Sequence, residues 1–399
     1  MDRRLFNQLM ALGAGALGVT TDGEELQAAE EAPVAGRATP FRGREQEPVN
    51  IAEVRSLAQR KMATATFEYV DTGSMDELTL RENIDAFQRI QLIPRLLHGV
   101  SNVDLSTTVL GQKIAMPIML APVAGQAMYH PNGGMAAARA AADAGTVYCM
   151  SSSVGNSVEE IASASKGPKW FQLYVPKDRG VTRQLVQRAE KAGFKALIMT
   201  VDLGEWKDAD RRNKFALPKD MLVKHLRDTG FDQITDAMSY QEVLDFNSEA
   251  WDLSLDWKFF EWLRKVTDMP LIIKGVLRKD DAQMAIAVGV DGIVVSNHGG
   301  RRLDGMPATI DMLPGVVDVV RGSAEVYLDG GIRRGTDVLK AMARGARAVL
   351  IGRPYAWGLG AAGEAGVSVV LELLREEFEN SMTSSGFAGV ADIDKSLLL

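Results

Sequence analysis

The sequence predicts an α/β protein folded as a (β/α)8 TIM barrel, with an N-terminal helical cap and a long active-site loop after the fourth strand. Three observations predict it. First, from Ile118 on, eight short apolar runs recur: IMLAP (118–122), TVYCMSS (146–152), WFQLYV (170–175), ALIMTVD (196–202), LIIKGV (271–276), GIVVSNHGG (292–300), EVYLDGG (325–331) and AVLIGRP (348–354). Second, these runs are continuous rather than alternating, as suits strands buried on both faces of a parallel sheet. Third, the stretches between them, such as RQLVQRAEKAG and TDVLKAMARG, have helical periodicity and close on a glycine, a common helix stop. Eight such units favour a closed barrel over an open doubly wound sheet.

The N-terminus is set apart from this pattern. Met1 to Val19 reads MDRRLFNQLMALGAGALGV, in which Arg3 and Arg4 precede a short, weakly apolar run. That run is too short to span a bilayer. The arrangement resembles a twin-arginine export signal, a route for folded, cofactor-loaded proteins, although no clean A-x-A cleavage site follows. Export implies a periplasmic protein; the alternative is a cytoplasmic one. Residues 20–48, rich in Glu, Ala, Gly and Pro, read as a disordered linker, so that residues 1–48 precede a barrel domain of residues 49–399.

Next along the chain, residues 50–116 read as a helical cap with a short strand. Between Asp202 and Leu271 lie far more residues than one helix needs. An insertion over 203–270, placed after a strand's C-terminal end, is expected to form a lid or substrate loop over the active-site face. Residues 366–382 are expected to form the final helix.

Composition narrows the function. Net charge is −7, which gives no reason to expect nucleic acid or anionic lipid as partner. Cys149 is the single cysteine, which excludes an internal disulfide framework or a cysteine-based metal cluster. The four histidines, at 98, 130, 225 and 298, have no paired spacing, so no metal is expected.

Function in such a barrel collects at the strands' C-terminal ends. In order, these ends offer Ala121, Pro122, Val123 and Ala124; Ser151; Gln172 and Tyr174; Thr200 and Asp202; Lys274; Ser296, His298 and Arg301; Asp329, Gly330, Gly331 and Arg333; and Gly352 and Arg353. Glycines let a backbone approach a ligand and an arginine adds a fork of donors, so DGGIRRG and IGRP read as a phosphate cradle on adjacent strands. Lys274 lies inside an apolar strand, where an ammonium needs an anion or a strong acceptor. It pairs either with a neighbouring strand or with an electron-rich ring that becomes anionic on reduction, whose edge Gln172 and Thr200 would bond. In SNHGGRRLDG (296–305), His298 is placed to take a proton and Arg301 to clamp a carboxylate, with Asp202 available to orient the histidine.

On these residues the chain resembles the FMN-dependent 2-hydroxy-acid oxidase and dehydrogenase family, which includes glycolate oxidase, lactate oxidase, lactate monooxygenase and mandelate dehydrogenase. The resemblance covers roughly residues 50–390 and rests on SNHGGRRLDG, FEYVDTGS (67–74), LAPVA (120–124), FQLYV (171–175), TVD (200–202), KGV (274–276), LDGGIRRGTDV (328–338) and IGRP (351–354). It implies FMN as cofactor and His298 as base, backed by Asp202. It implies Arg301 and Tyr69 on the substrate carboxylate and Tyr174 on the hydroxyl side. Backbone around Ala124, with Ser151, Gln172, Thr200 and Lys274, would meet the flavin ring, and Asp329, Gly331, Arg333, Gly352 and Arg353 its ribityl phosphate. Ser296 follows from its place in the signature. A homotetramer is implied by analogy alone.

The chain departs from the family pattern in places. A second carboxylate-binding arginine usually follows TVD; here the segment reads TVDLGEWKDADRRNKF, in which Lys207 is the nearest equivalent and Arg211 or Arg212 are the other candidates. Arg302 replaces the usual glutamine, Ser153 a frequent tryptophan and Val70 a common second tyrosine. The expected reaction is oxidation of a small L-2-hydroxy acid to the 2-oxo acid, the reduced flavin being reoxidised by oxygen or another acceptor. The altered 203–213 segment leaves a larger or non-carboxylate alcohol as the second reading. A flavin-binding barrel without turnover is the third, disfavoured by the retained His298, Asp202, Arg301 and Tyr69.

Overall fold

The computed structural model describes residues 47–399 except 203–206 and 214. The expected export signal and nearly all of the expected linker lie outside the described residues. Eight parallel strands close into a barrel in chain order: β3 (Ile118–Leu120), β4 (Tyr148–Ser151), β5 (Lys169–Leu173), β6 (Leu197–Thr200), β7 (Leu271–Val276), β8 (Gly292–Val295), β9 (Glu325–Asp329) and β10 (Ala348–Ile351), which returns to β3. All eight coincide with the predicted runs, but most end earlier. The runs' last residues leave the ladder where Pro122, the glycines and the polar residues begin, because proline has no N–H to give and these residues turn toward the C-terminal face.

The barrel interior is filled by Met119, Cys149, Trp170, Ile198, Ile272, Val294, Tyr327 and Leu350. Its N-terminal end is stoppered by a hairpin of β1 (Thr107–Val109) and β2 (Gln112–Ile114), whose Val109 and Ile114 join that cluster. The predicted short strand before the barrel is thus a two-stranded plug.

Three helices, Ile51–Lys61, Thr64–Asp71 and Leu78–Arg89, make the cap. The third docks directly on the functional face. Asn83, buried, exchanges two hydrogen bonds of 2.8 Å with Asn297 just beyond β8. Asp304 accepts from the backbone of Leu78 and Thr79 at that helix's first turn. A Cβ on Gly331 would stand 2.0 Å from the Asn83 carbonyl oxygen, and its φ is +86°. The glycine requirement at Gly331 therefore comes from cap docking, not only from the ligand approach its motif suggested.

The long connection after β6 holds helices Asp208–Arg212, Lys219–Thr229 and Tyr240–Glu249, with a small core of their own around Leu222, Leu226, Phe231 and Val243. The fourth helix, Lys258–Arg264, buries Phe259, Phe260 and Leu263 in the main core and serves as the barrel helix before β7. The predicted final helix, residues 366–382, lies within a helical segment that ends at Ser385; a break at Ala362 and Gly363, whose backbone is non-helical, separates it from a preceding helical segment that starts at Arg353. The preceding segment escaped the periodicity because the IGRP motif reads as a turn while Pro354 sits at a first-turn position, where proline is tolerated.

Candidate active site

A cavity of about 930 Å³ opens at the C-terminal face, walled by strand-end residues from around the barrel, by Tyr69 of the cap and by Leu217, Met221, His225 and Trp251 of the lid. His298 is its chemical centre. The residue has φ of +57°, and Gly299 and Gly300 follow at +65° and +73°. Left-handed backbone is strained for a residue with a Cβ and persists only when its surroundings hold it. Here the hydroxyl of Ser296 accepts from the His298 amide at 3.1 Å, and Gly300 packs on the Leu80 backbone so closely that a Cβ would come within 2.6 Å.

The turn aims the ring. Nδ1 lies 2.9 Å from Asp202 Oδ1, and Nε2 faces Tyr174 Oη at 3.5 Å. Asp202 can approach because Gly275, at a register shift between β7 and β8, has φ of +117°; a Cβ there would stand 2.9 Å from the Asp202 side chain. Burial pushes the Asp202 carboxyl up, but His298, Lys274 and Arg302 outweigh it and hold the group below its ordinary value. An ionised Asp202 accepts the Nδ1 proton, which leaves Nε2 as the acceptor. Burial pushes the imidazole down to about 4; Asp202 opposes this, and Arg302 and Lys274 reinforce it. The resting side chain is therefore a neutral base with its lone pair toward the cavity.

Lys274 realises the first of its two predicted pairings and stays within reach of the second. Its Nζ lies 3.1 Å from Asp329 Oδ2 and donates to Ser296 Oγ at 2.8 Å, while the residue lines the cavity. Burial lowers its proton affinity, but Asp329 and Asp202 more than restore it, so the ammonium stays charged.

Tyr69 is held by stacking on Phe215, with ring centroids 4.4 Å apart, and its carbonyl accepts from Arg301 Nη1 and from Lys207 Nζ. Arg301 lines the cavity. Lys207 does not: it is buried, pairs with Asp210 at 2.6 Å and lies 4.0 Å from the centre of the Tyr69 ring. Lys207, expected to meet a substrate carboxylate, is instead seen bonded to the Tyr69 carbonyl and paired with Asp210. Arg211 and Arg212 are exposed on the lid and reach Asp208 and Glu68 instead. The position underrated from sequence is Arg302, which lines the cavity and donates to Tyr174 Oη at 2.9 Å.

The opposite wall is shaped for a ligand. Ala121, Pro122, Val123 and Ala124 line it, with three of their carbonyls pinned by Tyr355, Gln126 and Tyr129. Ser151 and Thr200 line the floor. Gln172 stands behind Ser151, accepting from its hydroxyl at 3.0 Å, and among the described residues its buried Nε2 has no partner, nor has Oδ1 of Asp329. Such orphaned buried groups are costly and point to a ligand that satisfies them.

At the predicted cradle, Gly330, Gly331, Arg333, Gly352 and Arg353 all line the cavity. Arg333 is half-buried against Trp357, 5.1 Å from the ring centre, and makes no salt bridge among the described residues; desolvation pushes it down to about 10. Gly352 is open: a Cβ placed on it would have no neighbour nearer than 3.8 Å. Arg353 has a further duty: it donates to the carbonyls of Val70, Asp71, Thr72 and Gly299, clamping the cap to the His298 turn. The apolar wall, the unsatisfied amide and carboxyl, and the Arg333 cation at the glycine-lined end fit a planar polar ring carrying a phosphate, as FMN does.

Comparison with known proteins agrees with this geometry. The model of the FMN-dependent dehydrogenase family matches residues 58–399. Glycolate oxidase 1 of Zea mays is 48% identical over 359 residues, covering 88% of this chain and 96% of its own. L-lactate oxidase of Nostoc sp. is 46% identical over 358 residues, covering 88% and 98%. Among solved structures, mandelate oxidase superposes with TM-score 0.78 at 40% identity over 86% of this chain and 96% of its own. A chimera of (S)-mandelate dehydrogenase does so with TM-score 0.81 at 34% identity over 88% and 99%. The cap, the eight-stranded barrel and the strand-end site thus belong together by descent, and the chain is a member of the FMN-dependent dehydrogenase family.

Proposed function

We propose that this protein oxidises a small L-2-hydroxy acid to the 2-oxo acid, with His298 as the base. The observation that carries the reading is His298 Nε2, presented to the cavity as an acceptor while Asp202 holds Nδ1 at 2.9 Å, beside Arg301 and Tyr174. FMN, when bound, supplies the two-electron acceptor for the substrate's α-carbon–hydrogen bond. The protein's own residues do the rest. Arg301 and Tyr69 hold the carboxylate, and Tyr174 meets the hydroxyl. Nε2 takes the hydroxyl proton as the carbonyl forms, and Asp202 stabilises the imidazolium so produced. Ser151, Gln172, Thr200, Lys274 and Ser296, with the 121–124 backbone, would hold the ring, and Asp329 the ribityl phosphate. Gly330, Gly331, Arg333, Gly352 and Arg353 would hold the phosphate.

The relatives named glycolate, lactate and mandelate oxidases support this substrate class. The lid's apolar rim, with Leu217, Met221 and Trp251, also suits a substrate with an apolar side chain beyond the reacting carbon. Anaerobic mixing with glycolate, lactate and mandelate tests the reading: the yellow flavin absorbance bleaches with at least one. No bleaching with any 2-hydroxy acid would overturn it. Oxygen or another acceptor then completes turnover, which oxygen-uptake measurements separate.

Two further assignments belong to the same proposal. Arg3 and Arg4 ahead of a weakly apolar run support twin-arginine export to the periplasm, tested by fractionation with both arginines changed to lysine. A homo-oligomer follows from the family analogy and is tested by mass in solution.

A further inference from the structure

Arg302 stands beside the base with no part in the chemistry above. Its Nη2 donates to Tyr174 Oη at 2.9 Å and lies 3.3 Å from His298 Nε2. Since Nδ1 carries the ring proton toward Asp202, Nε2 is the acceptor in this contact. The guanidinium thus occupies, in the resting site, the lone pair that a substrate hydroxyl must reach. We propose that Arg302 is a substrate-binding residue: it yields Nε2 to the incoming hydroxyl and takes up the adjacent carboxylate together with Arg301. This rests on the reading of the site as one for 2-hydroxy acids.

Three features support it. In a 2-hydroxy acid the hydroxyl and carboxylate sit on neighbouring carbons, so an oxygen bonded to Nε2 brings the carboxylate to the group nearest Nε2. A guanidinium is suited to that task, because its planar fork matches a carboxylate bidentately. Finally, the cation expected from the segment after β6 is committed elsewhere, since Lys207 pairs with Asp210 behind Tyr69. The family pattern carries glutamine at this position, so the role is particular to this chain.

Arg302 also acts on the base through charge. Among the described residues, the charged or titratable groups facing His298 are Asp202 from beyond β6, Lys274 on β7, Tyr174 from beyond β5 and Arg302 itself. Removing the Arg302 charge leaves Asp202 less opposed, so the imidazole holds its proton to higher pH.

The test uses FMN-loaded wild type, Arg302→Gln and Arg302→Lys, with oxalate binding by calorimetry and steady-state lactate oxidation across pH. Arg302→Gln is expected to raise the oxalate Kd and the lactate KM by roughly tenfold to a hundredfold, with a smaller effect on kcat. It is also expected to move the acidic limb of kcat/KM upward. Arg302→Lys, which keeps the charge but loses the fork, is expected to fall between for Kd and to leave the limb in place. If Arg302→Gln does not yield soluble holoenzyme, the Arg302→Lys Kd decides alone. Oxalate affinity within twofold of wild type in the variant that folds overturns the assignment while the function stands. Wild-type enzyme that neither binds oxalate nor bleaches with a 2-hydroxy acid overturns both.

Discussion

Asp202→Asn isolates the charge behind the base while keeping its shape. In the structure Oδ1 is 2.9 Å from His298 Nδ1, and the carboxylate is buried. When Nε2 accepts a proton, a positive charge spreads over the ring only a few ångströms from that carboxylate. At an effective dielectric of about 20, unit charges about 4 Å apart interact by about 4 kcal/mol. Lys274 and Arg302 both disfavour the imidazolium, so among the described residues nothing nearby replaces the lost attraction. About 4 kcal/mol corresponds to roughly a thousandfold in rate. The expected outcome is a roughly thousandfold slower anaerobic flavin bleaching with lactate, in protein that stays yellow and melts normally. Stopped-flow absorbance measures it. A bleaching rate within tenfold of wild type would refute the idea that Asp202 stabilises the protonated base.

The remaining predictions concern the free enzyme, the cofactor and the fold. Because burial holds the His298 imidazole down at about 4, kcat/KM for a 2-hydroxy acid is expected to be flat through neutral pH. It should fall only as pH drops through about 4, where Nε2 gains a proton; a limb near the ordinary histidine value would show a solvated ring instead. Arg333→Met keeps the stem over Trp357 and removes the cation. It should weaken FMN binding by roughly a hundredfold, read by fluorescence as flavin is titrated into the stripped protein, and unchanged affinity would remove Arg333 from the phosphate cradle. Gly331→Ala forces a Cβ toward the Asn83 carbonyl at a positive φ. It should cost about 3 kcal/mol and lower the melting temperature by roughly 5 °C or more, which calorimetry would show.

The sequence by itself determined the barrel. Eight runs of buried residues separated by helical periods specify eight βα units, and continuous burial specifies parallel pairing, since both patterns are local consequences of backbone geometry. It also determined which face carries chemistry, because polar residues concentrate at the strands' C-terminal ends. Tertiary structure decided what spacing along the chain cannot encode. Asp202 meets His298 across 96 residues, and Gly275 leaves it the room. The glycines after β9 answer to Asn83 of the cap, and Arg353 clamps that cap to the His298 turn. The surroundings of Lys207 and Arg302 were decided in the same way. One side chain found Asp210 and the Tyr69 carbonyl first, and the other emerged from the strained turn beside Nε2. Which cation faces a substrate depends on the partners that the fold brings within a few ångströms, and those partners lie far apart in the chain.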